Sequence, residues 1–306
     1  MKVVIAGGTG FVGRRLVRLL GSAGHEVVVV SRRAEPPPDG ASRVVAWKGP
    51  WREELETAGA VVNLAGAPVA GGRWTERRKG GIKESRVRST RALVEAMLRS
   101  RTKPAVLVNA SAVGYYGDRA DERLTEHSSA GTDFLAEVCS AWESEAARAE
   151  AAGVRVALLR FGVVLGPEGG ALARMLLPFK LGLGGRLGSG RQYMSWIHAD
   201  DAAGLARFAI EHDKARGPLN AVAPGSVTNA DFSRALAAVL GRPCFLSAPA
   251  ALLRLVFGEM SGVLLASQRV EPAGALALGY EFRFSELVPA LRDLLSRPAA
   301  RAPAQR

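Results

Sequence analysis

Apolar and polar positions along this chain fall into a repeated two-part pattern. Val3-Val4-Ile5-Ala6 is a short continuous apolar run, as expected of a strand buried on both faces. Leu16, Val17, Leu19 and Leu20 then recur at helical spacing, so residues 2 to about 22 read as strand, turn and helix. Val27 to Val30 predicts a second buried strand, Val44 to Trp47 a short third, and Trp51 to Thr57 a helical turn. Ala60 to Gly66 predicts a fourth strand that ends in a small-residue turn. A long helix is expected from Thr75 to about Ser100, with Ile82, Val87, Leu93, Val94, Met97 and Leu98 as its apolar positions. Pro104 opens a fifth strand over Ala105 to Ala110, a helix follows over Thr132 to Ala152, and Val154 to Leu159 is a sixth strand. Strands alternating with helices in this way predict an α/β fold with a doubly wound parallel sheet.

After Pro167 the texture changes. Gly182 to Gly190 is too rich in glycine for a helix and predicts a loop or hairpin over a site. Helices are expected over Ala202 to Glu211 and Asn229 to Leu240, the second opened by an Asn or Thr cap, with a strand at Pro218 to Val222. Residues 248 to 296 read as helical around a strand-like Tyr280 to Phe284, and Arg297 to Arg306 as a disordered tail.

The turn between the first strand and helix carries the first chemistry. In Gly7-Gly8-Thr9-Gly10-Phe11-Val12-Gly13 the glycines at 7, 10 and 13 allow a tight turn, close backbone approach to a pyrophosphate, and close helix packing. The helix behind them points N–H groups and a positive dipole end at the phosphates. A glycine-rich turn after a strand can also be only a turn, but its place on the first strand favours a dinucleotide site. An NAD site sets an acidic residue about 20 residues further on. Here Ser31-Arg32-Arg33 stands there instead, and arginine suits a 2′-phosphate, so NADP(H) is the expected cofactor. The backbone of Leu64, Ala65 and Gly66 is placed to approach the adenosine and its ribose. These elements predict an NAD(P)-binding Rossmann domain over residues 1–166, its sheet completed by parts of 191–225. A smaller substrate lobe over 167–296 includes a C-terminal unit at about 248–296.

Composition narrows the picture less than charge does. The chain has 306 residues, 48% apolar and 23% charged, which suits globular domains. It begins without a charged leader or signal core, and no apolar run reaches the ~18 residues of a membrane span, so no membrane partner is expected. Only Cys139 and Cys244 occur, which offers neither a disulfide framework nor metal-ligand spacing; no metal is expected, and a reducing, cytoplasmic setting follows. The net charge is +12, its excess scattered over the whole chain, and basic residues crowd between Arg73 and Arg101, at Arg77, Arg78, Lys79, Lys83, Arg86, Arg88 and Arg91. Nucleic acid is not the expected partner, because only Trp74 stands nearby for stacking; a solvated helix face, helped by an anionic ligand, accounts for the cluster better.

Several motifs together resemble the extended short-chain dehydrogenase/reductase family, in the group of nucleotide-sugar epimerases and dehydratases. They are GGTGFVG at 7–13, NLAG at 63–66, SAVGYYGD at 111–118, FLAEVCSAWE at 134–143, LRFGVVLGPEGG at 159–170 and GGRLGSGRQYMSWIHADD at 184–201. The match is to its atypical branch of epimerase family proteins of the short-chain dehydrogenase 39U type. GEMSGVLLASQRVEPAGALALGYEF at 258–282 looks like the small domain of unknown function attached to that branch. The resemblance implies that Ala110, Phe161, Gly162 and Val163 join the cofactor site. It also implies that Tyr115, Arg191, Trp196, His198 and Asp200 face substrate, with a homodimer as the candidate assembly.

The same resemblance exposes a departure. The family's chemistry pairs a serine with a tyrosine and lysine spaced Y-x-x-x-K, the lysine bringing the phenol towards neutral pKa. Ser111 matches the serine, but the other two positions hold Cys139 and Glu143. Cys139 reads as a buried structural thiol or a poor nucleophile, and Glu143 as a surface carboxylate or a general acid or base. Tyr116 or Tyr115 can supply a hydroxyl or simply pack. His198 can be an acid or base oriented by Asp200, or Asp200 can cap a helix. Two functions follow: an NADP(H)-dependent oxidoreductase or epimerase acting on a small anionic or sugar-like molecule, or an NADPH-binding regulatory or interaction protein that has lost the reaction.

Overall fold

The computed structural model of the chain describes residues 1–33 and 36–296, so the expected tail lies outside the described residues. Its longer strands are β1 (Lys2–Ala6), β2 (Glu26–Ser31), β3 (Arg43–Ala46), β4 (Ala60–Asn63) and β5 (Val106–Ala112). After the short β6 (Arg123–Leu124) come β7 (Arg155–Phe161), β8 (Val163–Gly166), β9 (Gly185–Leu187), β10 (Tyr193–Met194) and β11 (Trp196–His198). The last are β12 (Gly217–Ala221), β13 (Val227–Thr228), β14 (Leu246–Ala248) and β15 (Arg269–Val270). Helices α1 (Phe11–Ser22), α2 (Glu76–Arg99), α3 (Phe134–Ala147), α4 (Gly170–Lys180) and α5 (Ala199–Glu211) precede α6 (Asn229–Leu240). The chain closes with α7 (Ala250–Phe257), α8 (Ser261–Leu265), α9 (Ala273–Ala277) and α10 (Leu287–Ser296).

Seven strands pair in parallel in the order β12-β7-β5-β4-β1-β2-β3. The order reverses between β1 and β4, and such a reversal opens a ligand crevice beyond the strands' carboxyl ends. Because side chains alternate along a strand, Val3 and Ile5 pack on one face with α1 and α5, and Val4 and Ala6 on the other with α2 and α3. A separate core of Leu172, Phe179, Trp196, Phe232, Leu236, Leu291 and Leu294 knits α4, α6 and α10 together. Among the described residues no helix is long and apolar enough to cross a membrane.

The pattern reading needs four corrections. Ser111 and Ala112 belong to β5 itself, in register with Arg160 and Phe161 on β7. The glycine-rich segment makes no hairpin, because Gly185–Leu187 pairs in parallel with the distant Leu246–Ala248. Tyr280–Phe284 is not a strand. Its Arg283 and Phe284 N–H groups donate to the Asp201 carboxylate at 2.8 and 3.0 Å, which leaves them nothing to give a ladder. Finally, α4 lies in a stretch where the apolar pattern assigns no element.

Candidate functional site

The glycine turn sits at the sheet's reversal point. Gly7 has φ +81°, and a Cβ on it would stand 2.8 Å from the Leu64 carbonyl carbon. A Cβ on Gly13 would stand 2.3 Å from the Gly7 oxygen, so α1 can start against the turn only with glycine there. Gly10 caps α1 without any side-chain bond, and the first turn of α1 holds no acidic residue. The N–H groups of Phe11, Val12 and Gly13 thus begin a helix whose end has no anion of its own. Thr9 closes the turn from outside, its carbonyl accepting from Arg14 Nε. Ser31 ends β2, buried, and the exposed Arg32 and Arg33 follow directly. The neighbouring Gly7 N–H donates to the Val30 carbonyl, which ties that strand end to the turn. On the other flank Leu64, Ala65 and Gly66 leave β4. Asn63 holds them there, its Oδ1 accepting from the Ala65 N–H and its Nδ2 donating to Asn109 and Thr90.

Ser111, at the carboxyl end of β5, faces a buried ionic cluster. Its hydroxyl donates to Glu143 Oε1 at 2.6 Å. Arg160, directly opposite on β7, donates from Nε to the same oxygen and from Nη2 to Oε2, both at 2.8 Å. That parallel fork is the strongest geometry between guanidinium and carboxylate. Burial works against the Arg160 charge, yet hydrogen bonds and attraction from Glu143 and Tyr116 outweigh it and hold the guanidinium above its usual pKa. Sequence reasoning missed Arg160. The signal is an arginine inside the otherwise apolar run of β7, where only a paired charge is tolerated.

The remaining hydroxyl and thiol candidates are committed elsewhere. Tyr116 is fully buried; it donates to Asn220 Oδ1 at 2.6 Å and accepts from Arg160 Nη1 at 3.0 Å. Burial pushes its phenol up, against the pull of Arg160. The Tyr115 ring lies 3.5 Å under the Arg160 guanidinium. Cys139 is buried, its thiol donating to the Ala112 carbonyl; burial first, and then the Glu143 charge, push it up to about 11. Tyr116 and Cys139 thus both spend their polar hydrogens on partners in the interior, Asn220 and the Ala112 carbonyl. Ala110 is buried in β5, and Phe161, Gly162 and Val163 line the end of β7, where Gly162 donates to the Ala221 carbonyl and Val163 to that of Ser195.

The residues expected to face substrate scatter. Trp196 is fully buried in the lobe core, its indole N–H on the Gly225 carbonyl, so its ring has no face left for a ligand. His198 is buried as well and caps α5, its Nδ1 accepting from the Asp200 N–H at 3.0 Å, so the histidine and not the aspartate is the cap. Its Nε2 faces Asp293 at 3.2 Å, and Asp200 pairs with Arg15 on α1 at 3.1 Å. One donor atom each of His198, Asp200 and Asp293 falls within 4.8 Å of the others, but one histidine nitrogen already caps α5 and the other faces Asp293. This group packs α5 against α1 and α10, apart from Ser111. Arg191 is exposed, on the wall of a cleft of about 670 Å³ with Asp118, Asp121, Tyr193, Thr228 and Ser267. The basic residues of α2 mostly meet carboxylates: Lys79 Glu76 and Glu259, Lys83 Glu137, Arg88 Glu84, and Arg91 Glu145.

Comparison with known proteins agrees with the fold. A family model described as the NAD dependent epimerase/dehydratase family matches residues 3–222, and a domain of unknown function, DUF1731, matches residues 248–294. The chain is similar to the epimerase family protein SDR39U1 of Mus musculus, 40% identical over 300 residues that span 97% of this chain and 100% of that one. It is also similar to the chloroplastic SDR39U1 homolog of Arabidopsis thaliana, 42% identical over 96% of this chain and 87% of that one. A crystal structure of human SDR39U1 (isoform 2) with NADPH superposes with a TM-score of 0.86 at 38% identity, covering 96% of this chain and 99% of that one.

Proposed function

The chain belongs to the NAD dependent epimerase/dehydratase family, and we propose that it is an NADP(H)-dependent oxidoreductase or epimerase acting at a hydroxyl- or carbonyl-bearing carbon of a small molecule. The observation that carries this reading is the 2.6 Å bond from Ser111 to Glu143, itself clasped by Arg160, at the carboxyl end of a central strand.

The residues present fit the cofactor. The glycine turn leaves room that a Cβ at Gly7 or Gly13 would fill, and the α1 N-terminus suits a pyrophosphate. Ser31, Arg32 and Arg33 would meet a 2′-phosphate, and the human relative was crystallised with NADPH. When bound, the nicotinamide supplies or accepts a hydride. The protein's own part is proton handling. Because the Ser111 proton is given to Glu143, the Ser111 oxygen is left to accept from a substrate hydroxyl. One proton passes from substrate to Ser111 as another passes from Ser111 to Glu143 Oε1, and Arg160 holds the carboxylate in place; reduction runs the two transfers in reverse. In this relay Glu143 takes the position of the family's lysine, while Cys139 takes that of the tyrosine.

The test is NADPH oxidation and NADP⁺ reduction over a panel of carbonyl compounds and nucleotide sugars. Ser111→Ala and Glu143→Gln should each lower turnover by about a hundredfold or more while NADPH affinity stays within about twofold. Cofactor binding without turnover of any panel member favours the second reading, an NADPH-binding regulatory or interaction protein. What supports that alternative is the commitment of Tyr116 and Cys139 to the interior. We further propose a reducing, cytoplasmic-type location, consistent with the two free cysteines, and a homodimer, to be checked by sedimentation equilibrium.

A further inference from the structure

Exposed apolar side chains gather on one face of the lobe. At the end of α4 they are Leu177, Leu181 and Leu183, each 63–66% exposed. Phe245, 80% exposed, and Leu246 stand beside them. Helix α7 is apolar apart from Arg254, yet it buries only Leu253 and leaves Leu252, Leu255 and Val256 in solvent. A helix that is apolar on every side is normally buried. The three groups are neighbours. Gly185 lies opposite Leu246 where β9 pairs with β14, and a Cβ on Gly182 would stand 3.8 Å from Pro243. A Cβ on Gly188 would stand 3.7 Å from Ala250, where α7 begins. The face lies at the end of α4 away from the glycine turn, since it is Gly169, at the other end, whose Cβ would meet the Phe11 ring at 2.7 Å. Monomers usually scatter such side chains singly; gathered in one patch they mark a surface that meets something apolar.

Charge says what that something is. The two segments that build the face, 169–199 and 232–258, contain no aspartate or glutamate. They do carry Arg174, Lys180, Arg186, Arg242 and Arg254, all exposed and none in an ion pair among the described residues. On α2, by contrast, the surface cations mostly meet carboxylates. Beside Phe245 a hollow of about 220 Å³ opens between Arg186 and Arg234, large enough for a phosphate group next to an apolar ring. An apolar face rimmed by unpaired cations, with no acid inside it, is complementary to a surface that offers anions above hydrocarbon.

We propose that this face docks the protein on an anionic membrane surface. Leu252, Leu255, Val256 and Phe245 enter the boundary between headgroups and acyl chains, and the cations around them meet lipid phosphates. No helix crosses the bilayer, so the contact is interfacial and reversible. A second copy of this chain fits the face less well, because two-fold pairing would set each cationic rim against its like, and the homodimer proposed above uses another surface. The inference is independent of the chemistry in the crevice and holds for either reading of it.

The full chain is sedimented with sucrose-loaded vesicles of phosphatidylcholine alone and of phosphatidylcholine mixed with phosphatidylglycerol, at low and at moderate salt. Wild type should partition onto the mixed vesicles at least about tenfold better than onto the neutral ones, and less so as salt rises. Leu252→Ser combined with Leu255→Ser should lower that partition by about tenfold or more, and Arg186→Gln by about fivefold. Leu276→Ser changes a leucine of α9 that is 50% exposed but lies outside the face, and it should bind as wild type does. Circular dichroism checks that each variant is folded. The proposal is overturned if wild type stays in solution with the mixed vesicles. It is equally overturned if the double leucine variant binds within about twofold of wild type, since a chain of net charge +12 can adsorb by charge alone. Self-association that the leucine changes abolish, without vesicle binding, would give the face to a second copy and overturn it as well.

Discussion

Removing Arg160 should cost far more than its surface count suggests, and the loss should be recoverable. The side chain makes four hydrogen bonds: 2.8 Å to each Glu143 oxygen, 3.0 Å to the Tyr116 hydroxyl and 3.3 Å to the Glu126 carbonyl. In Arg160→Met, Glu143 keeps only the Ser111 hydroxyl while 8% exposed. Breaking a buried pair from one side costs about 3–5 kcal/mol, because the surviving charge is left desolvated. Against a typical total of roughly 5–15 kcal/mol for a folded domain, that is a large share. Glu143→Leu should cost about the same, for it strands the guanidinium of Arg160, 3% exposed, in the same pocket. The double variant Arg160→Met with Glu143→Leu removes both charges together. It leaves unmet partners at Ser111, Tyr116 and the Glu126 carbonyl, about 1 kcal/mol each, so its expected cost is about 3 kcal/mol. Urea unfolding followed by tryptophan fluorescence gives the three values. The coupling should therefore exceed about 3 kcal/mol in favour of the double variant. Additive single losses, within about 0.5 kcal/mol, would refute the claim that this pair is one buried unit.

Other outcomes follow from the same geometry. Tyr116→Phe should lose about 1–3 kcal/mol in urea unfolding, since Asn220 Oδ1 is left unmet, yet keep turnover within about threefold; a collapse of turnover without loss of stability would restore the phenol as a proton carrier. With its thiol at about 11, Cys139 should react with iodoacetamide at pH 8 at least about a hundredfold more slowly than a free peptide cysteine. Its rate should climb about tenfold per pH unit up to that value, because only the thiolate reacts, and mass spectrometry of the labelled peptide reads both. Arg32→Ala should weaken NADPH by about tenfold or more and leave NADH unchanged, and equal effects in a fluorescence titration would remove the 2′-phosphate assignment. Gly13→Ala, whose methyl would stand 2.3 Å from the Gly7 oxygen, should abolish measurable NADPH binding; full affinity would mean that the turn is no cofactor cradle.

What the sequence made legible divides along a physical line. Runs such as Val27 to Val30 are buried on both faces, so composition alone marks them as central strands, and a glycine turn behind β1 declares itself by residue type. Tyr280 to Phe284 alternates like a strand, but its backbone donors are taken by Asp201, a contact across about 80 residues that no local window contains. Trp196-Ile197-His198 shows the limit of motif reading. Its apolar flanks are the marks of a buried strand, and burial is what those side chains do, although the motif suggests a substrate wall.

The site divides the same way. The absence of a tyrosine and lysine pair is visible residue by residue, because identity is all that it requires. What replaces the pair is not visible, since Glu143 becomes meaningful only when the β5–β7 register brings Arg160 opposite Ser111.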